Sequence, residues 1–127
     1  MKVLVVDDEI ATRDTLKDVL QDEGFAVEVA SNGREALDHL SRIGPVCAII
    51  LDLIMPEMSG QELLAAMGAE ARWASIPVVI VTSDPTRAPP GRLTFRKPLR
   101  LDVIIDTVSK LCPRAAELRA GQEGGAP

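Results

Sequence analysis

Five polar side chains close four short runs. Asp7 and Asp8 follow "VLVV", Asp52 follows "VCAIIL", Thr82 follows "IPVVIV", and Lys97 follows "LTFR". Two like charges about 4 Å apart repel by roughly 4 kcal/mol at an effective dielectric constant near 20. Adjacent carboxylates therefore face water or share a cation. Oxygen-only ligands with room for water suit Mg²⁺, which takes one or two carboxylates and keeps waters for a phosphate group. A carboxylate is also a nucleophile toward phosphorus. Phosphoryl transfer rests mainly on positioning and charge neutralisation. Mg²⁺, the Lys97 ammonium and the Thr82 hydroxyl would supply both. Asp52, alone at its run's end, is the expected nucleophile; Asp7 and Asp8 are the expected metal-holding pair. Singly, each has a plainer reading: helix capping for Asp7 and Asp8, a turn for Asp52, a strand end for Thr82, a solvated lysine before Pro98 for Lys97.

The elements that must position these residues follow from periodicity. Lys2–Val6 reads as a buried strand. Residues 9–23 read as a helix with Leu16, Val19 and Leu20 on one face and Gly24 as its stop. Phe25–Ala30 is a second strand. Asn32 and Glu35 open a helix running to about Arg42, and residues 46–51 form a strand apolar on both faces. Ser59 and Glu62 make a capping box for a third helix carrying Leu63, Leu64 and Met67. Residues 76–81 and 93–96 are the fourth and fifth strands. Ile104, Val108 and Leu111 mark a last helix stopped by Pro113. Apolar strands alternating with amphipathic helices predict an α/β fold, a doubly wound parallel sheet. Ligands of such sheets bind beyond the carboxyl ends of the strands, which is where all five polar residues fall.

The 127 residues fit one domain, and 46% apolar content supports a core, built from aliphatic residues because aromatics are only 2%. Net charge −5 argues against a nucleic-acid surface. No apolar run reaches the ~20 residues of a membrane span, and Asp7 and Asp8 interrupt the first run too early for a signal peptide. Cys47 and Cys112 show no metal-ligand spacing and are expected as buried free thiols in a reducing cytoplasm. His39 is expected as a surface or packing residue, and Trp73 as packing after the third helix.

"VVDDE" (5–9), "LDLIMPEMSG" (51–60), "VIVTS" (79–83) and "RKP" (96–98), in this order, resemble a bacterial two-component response-regulator receiver domain. The resemblance covers about residues 1–112. It implies a flavodoxin-like sheet of order 2-1-3-4-5, with Asp52 phosphorylated by a histidine kinase or phosphotransfer protein. It further implies Mg²⁺ ligation by Asp8 and Asp52, with Asp7 acting through water and Ile54 through its backbone carbonyl. Thr82 would bond the phosphoryl group, Lys97 would pair with a phosphate oxygen, and the Lys97–Pro98 bond would be cis.

Two departures stand out. Only 14 residues separate Thr82 from Lys97. Pro89 and Pro90 end any helix begun at Pro85, so the helix usual between strands four and five is expected to be missing or cut to about one turn. Ten extended residues reach roughly 33 Å, enough to return along the sheet. The position three before the lysine, usually aromatic in receivers, is Thr94. Phe95 should face the opposite side, because side chains alternate along a strand. Ser83 stands where a small residue, often Ala, follows the threonine. The segment is also basic: Arg87, Arg92, Arg96, Lys97 and Arg100 lie between Asp84 and Asp102.

The leading expectation is a phosphorylation-dependent signalling switch, not an enzyme, docking to a downstream partner or relaying phosphate. Residues 1–112 would form the domain and 113–127 a flexible tail or linker. A phosphate-independent scaffold is the alternative, as is a fragment of a longer regulator. A haloacid-dehalogenase-like phosphatase wants a second Asp two residues after the nucleophile, where this chain has Ile54. A flavin or nucleotide site wants a Gly-rich turn after strand one, which "DDEIA" does not provide.

Overall fold

Seven consecutive buried residues, Val46–Asp52, form the central strand of the sheet. The computed structural model describes residues 1–55 and 58–113. In it this strand, β3, lies between β1 (Lys2–Val6) and β4 (Val78–Thr82), with β2 (Val27–Ala30) and β5 (Leu93–Arg96) at the edges. All pairings are parallel and the order is β2-β1-β3-β4-β5. Both sheet faces are covered, so the strands carry apolar residues on both sides rather than alternating. On one face Val3, Val5, Ile50 and Val81 pack with Leu16 and Leu20 of α1 (Ile10–Asp22) and with Ile104 and Val108 of α5 (Leu101–Leu111). On the other, Leu4, Val6, Ile49, Leu51 and Ile80 pack with Ala36 and Leu40 of α2 (Gly33–Leu40) and Leu63 and Met67 of α3 (Gly60–Gly68).

The helix starts follow the local chemistry. Asn32 accepts the Glu35 N–H at 2.8 Å, and the Ser59–Glu62 capping box is fully formed. Gly24, at φ +94°, turns the chain after α1. Strand β2 begins at Val27, two residues later than its apolar run; α2 ends at Leu40, two residues before Arg42; and β4 begins at Val78 and includes Thr82. The sequence reading missed one short helix, α4 (Ala71–Ala74), which sets Trp73 against the α2–α3 side of the core. Four residues are too few to show a helical period.

Between β4 and β5 there is a single 3₁₀ turn, Pro85–Arg87, opened by Asp84, whose side chain accepts the Thr86 N–H at 3.2 Å. This is the abbreviated crossover that the prolines required. Phe95 pairs in register with Val81 and packs on the α1–α5 side, while Thr94 pairs with Ile80.

The cysteines correct an expectation. Cys47 and Cys112 are not free thiols but a disulfide, with Cα atoms 5.4 Å apart. The end of α5 packs over β3 and brings together residues 65 apart in sequence. Nothing in their spacing foretold it. The argument for a reducing compartment from free thiols lapses with them. Among the described residues no helix is long and apolar enough to cross a membrane. Most of the expected tail, from Arg114 on, lies outside the described residues, as does Pro56 in the expected turn after Asp52.

Candidate functional site

Strands β1 and β3 are neighbours and parallel, with Val6 opposite Leu51. Their C-terminal ends therefore carry Asp7, Asp8 and Asp52 to one place. One carboxylate oxygen from each lies within 4.8 Å of the other two. Asp7 is 1% exposed and Asp52 5%, whereas Asp8 faces solvent. Strand β5 ends two strands away, yet Lys97 reaches back: its Nζ donates to Asp7 Oδ2 at 3.0 Å and to Asp52 Oδ2 at 3.4 Å. A cation thus stands between two buried carboxylates, Asp7 and Asp52, while Asp8 relieves the adjacent pair's repulsion by facing water. The Lys97 N–H also donates to the Thr82 carbonyl at 2.9 Å, and the Lys97–Pro98 bond is cis.

The charges remain in tension. Burial and the neighbouring Asp7 charge push the Asp52 carboxyl up to about 6, against the opposing pull of the Ile54 N–H and of Lys97. Burial also works against the charge of Lys97, but Asp7 and then Asp52 hold its pKa above the ordinary lysine value. An octahedral Mg²⁺ with oxygens at ~2.1 Å holds neighbouring ligands roughly 3 Å apart and opposite ones roughly 4 Å apart. Three converging carboxylates with a lysine already drawn to them fit such an ion, and the donors are all oxygen.

The other expected residues are arranged less directly. Thr82 is fully buried at the end of β4, beside the strand that carries Asp52. Its hydroxyl accepts the Asp84 N–H at 3.1 Å and approaches the Asp84 carbonyl at 3.4 Å, so it is tied into its own turn. The Ile54 N–H donates to Asp52 Oδ1 at 3.2 Å, with the side chain exposed at the site mouth. His39 lies elsewhere, on α2, with Nδ1 4.0 Å from Glu28 and Nε2 3.9 Å from Glu35.

Two residues that sequence reasoning passed over shape the site. Arg13, on α1, donates from Nη1 to the Asp7 carbonyl at 2.9 Å, fixing the turn after β1. Gly60, first in α3, packs against the backbone that holds Asp52. A Cβ there would meet the Asp52 carbonyl oxygen and Leu53 Cα, both at 2.7 Å. Its place just after a helix cap was a legible signal for Gly60; Arg13 offered none. A groove of about 570 Å³, lined by Glu9, Thr12, Leu16, Lys97, Pro98 and Leu101 among others, opens beside the cluster.

Comparison with known proteins agrees with this geometry. The family model described as "Response regulator receiver domain" matches residues 3–89. An uncharacterised 14.6 kDa protein of Leptolyngbya boryana is 41% identical over 83 residues, 65% of this chain and 63% of that one. The response regulator Rre1 of Synechocystis sp. is 37% identical over 84 residues, 65% of this chain and 36% of that protein. The matched region thus spans less than two thirds of either relative. Among solved structures, the chemotaxis response regulator CheY4 of Vibrio cholerae is 30% identical with TM-score 0.78, over 87% of this chain and 98% of that one. A response regulator receiver protein from Pseudomonas putida has the same identity and TM-score over 85% of this chain and 94% of its own. The family match stops at residue 89, in the shortened crossover, while Lys97 beyond it still reaches the carboxylates. With its sheet order, its convergent aspartates and this match, the chain belongs to the response regulator receiver domain family.

Proposed function

We propose that this chain is a phosphoacceptor switch of a two-component phosphorelay, phosphorylated on Asp52 by a histidine kinase or phosphotransfer protein. The observation that carries the reading is the Lys97 ammonium bonded to both Asp7 and Asp52 from a distant strand. A carboxylate oxygen of Asp52 attacks phosphorus, forming the O–P bond as the donor's N–P bond breaks and its electron pair returns to the imidazole nitrogen. Lys97 offsets negative charge on the phosphoryl oxygens. Asp8 and Asp52, with Asp7 and the Ile54 carbonyl, would hold a Mg²⁺, which would supply further charge neutralisation. The Thr82 hydroxyl leaves the Asp84 backbone to bond the phosphoryl group. We read the chain as a cytoplasmic signalling protein rather than an enzyme, its output a docking event or onward phosphate transfer.

The decisive experiment is incubation with acetyl phosphate and Mg²⁺, followed by intact mass. Wild type should gain one phosphoryl group and Asp52→Asn none. Failure of wild type to gain it, with Mg²⁺ still bound, would instead favour a scaffold that docks independently of phosphate. The 3₁₀ turn standing where receivers usually carry a helix gives that second reading its support.

A further inference from the structure

The abbreviated crossover leaves one side of the sheet open. Strand β5 is the last in the order, and the crossover supplies only three residues of 3₁₀ helix before it. The Lys97 N–H points to β4, donating to Thr82. Backbone groups alternate in direction along a strand, so the N–H and C=O of Thr94 and Arg96 point outward from the sheet. Among the described residues no strand pairs with this edge. Such an edge is a template for another strand unless charges or prolines blunt it.

The chemistry along the edge is one-sided. Five cations face two carboxylates between residues 84 and 102, in a chain of net charge −5. Arg87 and Arg100 are engaged by Asp84 at 3.6 Å and Asp102 at 3.0 Å. Arg92 and Arg96 are exposed; Arg96 is near enough to Asp84 to help lower that carboxyl's pKa, but neither arginine is in a salt bridge within 4.0 Å among the described residues. Arg96 shares a sheet face with Thr94 by alternation, and Arg92 stands in the bend immediately before the strand. Leu93, between them in sequence, is 50% exposed and offers an apolar contact on the opposite face. These arginines repel the β5 edge of a second copy and leave the edge open to an anionic strand.

We propose that the free edge of β5 takes up an extended acidic segment of a partner protein as a sixth strand, its carboxylates set against Arg92 and Arg96. Main-chain bonds to Thr94 and Arg96 would give affinity, and alternate side chains specificity. This names the partner class for the docking output proposed above and rests on that reading.

The test uses the full chain and a fluorescent peptide of alternating Glu and Val, followed by anisotropy and by amide hydrogen exchange. Binding should weaken with salt and slow exchange at the Thr94 and Arg96 amides. The Lys/Val counterpart, and a Glu/Pro peptide unable to form a strand, should not bind. The Arg92→Glu/Arg96→Glu double variant should lower affinity roughly ten- to a hundred-fold with unchanged Tm. Thr94→Pro, which removes an outward N–H, should also weaken binding. Equal binding of either control peptide, indifference to the arginine reversal, or absence of exchange protection would overturn the proposal. Phosphoryl uptake measured by mass on the same samples separates the two readings. Normal uptake without peptide binding removes only the edge, and peptide binding without uptake removes only the switch.

Discussion

Replacing Asp52 by Asn should make the metal-free protein more stable. Asp52 is 5% exposed and sits beside Asp7, and the fold raises its carboxyl pKa from 3.8 to about 6. One pKa unit corresponds to about 1.4 kcal/mol, so the ionised carboxylate opposes folding by up to roughly 3 kcal/mol at neutral pH. The sign follows from proton binding. Between pH 4 and 6 the folded state holds a proton that the unfolded state has released. Stability from this group is therefore full below about pH 3.8 and lost as pH rises through about 6. Asn keeps the shape without the charge. In chelator at pH 7.5, Asp52→Asn should unfold at a Tm roughly 4–12 °C higher, a gain of about 1–3 kcal/mol. The gap should shrink steadily below pH 6 and vanish near pH 4. Saturating Mg²⁺ should narrow or reverse it, because ligand at a hundred times its Kd stabilises the wild type by about 2.7 kcal/mol. Urea unfolding of both proteins across this pH range, with and without Mg²⁺, measures all of it. An Asn variant less stable than wild type in chelator at pH 7.5 would refute the argument that burial and Asp7 dominate what Asp52 experiences.

Lys97→Met should abolish phosphoryl uptake and lower stability by up to about 3 kcal/mol in chelator, below the range for a fully buried pair because Lys97 is partly exposed; Mg²⁺ should restore part of that loss in thermal melts. Cys112→Ala, or reduction of the 65-residue Cys47–Cys112 loop, should cost about 4 kcal/mol through the entropy returned to the unfolded chain, read by urea unfolding with and without a thiol reductant. Gly60→Ala should cost about 1–3 kcal/mol and slow phosphoryl uptake, since its Cβ would press on the backbone of Asp52 and Leu53; stability unchanged by this substitution would show that the α3 start can move freely.

Local signals were enough for the elements that repeat a period or announce a cap. The apolar run of β3, the Asn32 cap and the Ser59–Glu62 box each depend on neighbours in sequence, and each formed where expected. The brief crossover was legible too, because proline's missing N–H and fixed φ act on the residues beside it. Boundaries were less so. Phe25 and Ala26 continue the apolar pattern of β2 but precede the strand, whose register begins with Val3 opposite Val27, the Ala26 carbonyl accepting the Val3 N–H at 2.9 Å.

The sequence by itself determined which side chains end the strands: a carboxylate pair after the first, a carboxylate at the third, a threonine at the fourth and a lysine after the fifth. Only the tertiary structure decided the distances among them. Lys97 meets Asp7 at 3.0 Å across ninety residues because β1 and β3 are neighbours and the last turn aims an amine back over β4. The same packing, not any spacing rule, paired Cys47 with Cys112 and set Gly60 against the backbone of Asp52. Through-space contacts between segments far apart in the chain depend on how the helices lie on the sheet, and no window of sequence contains that geometry.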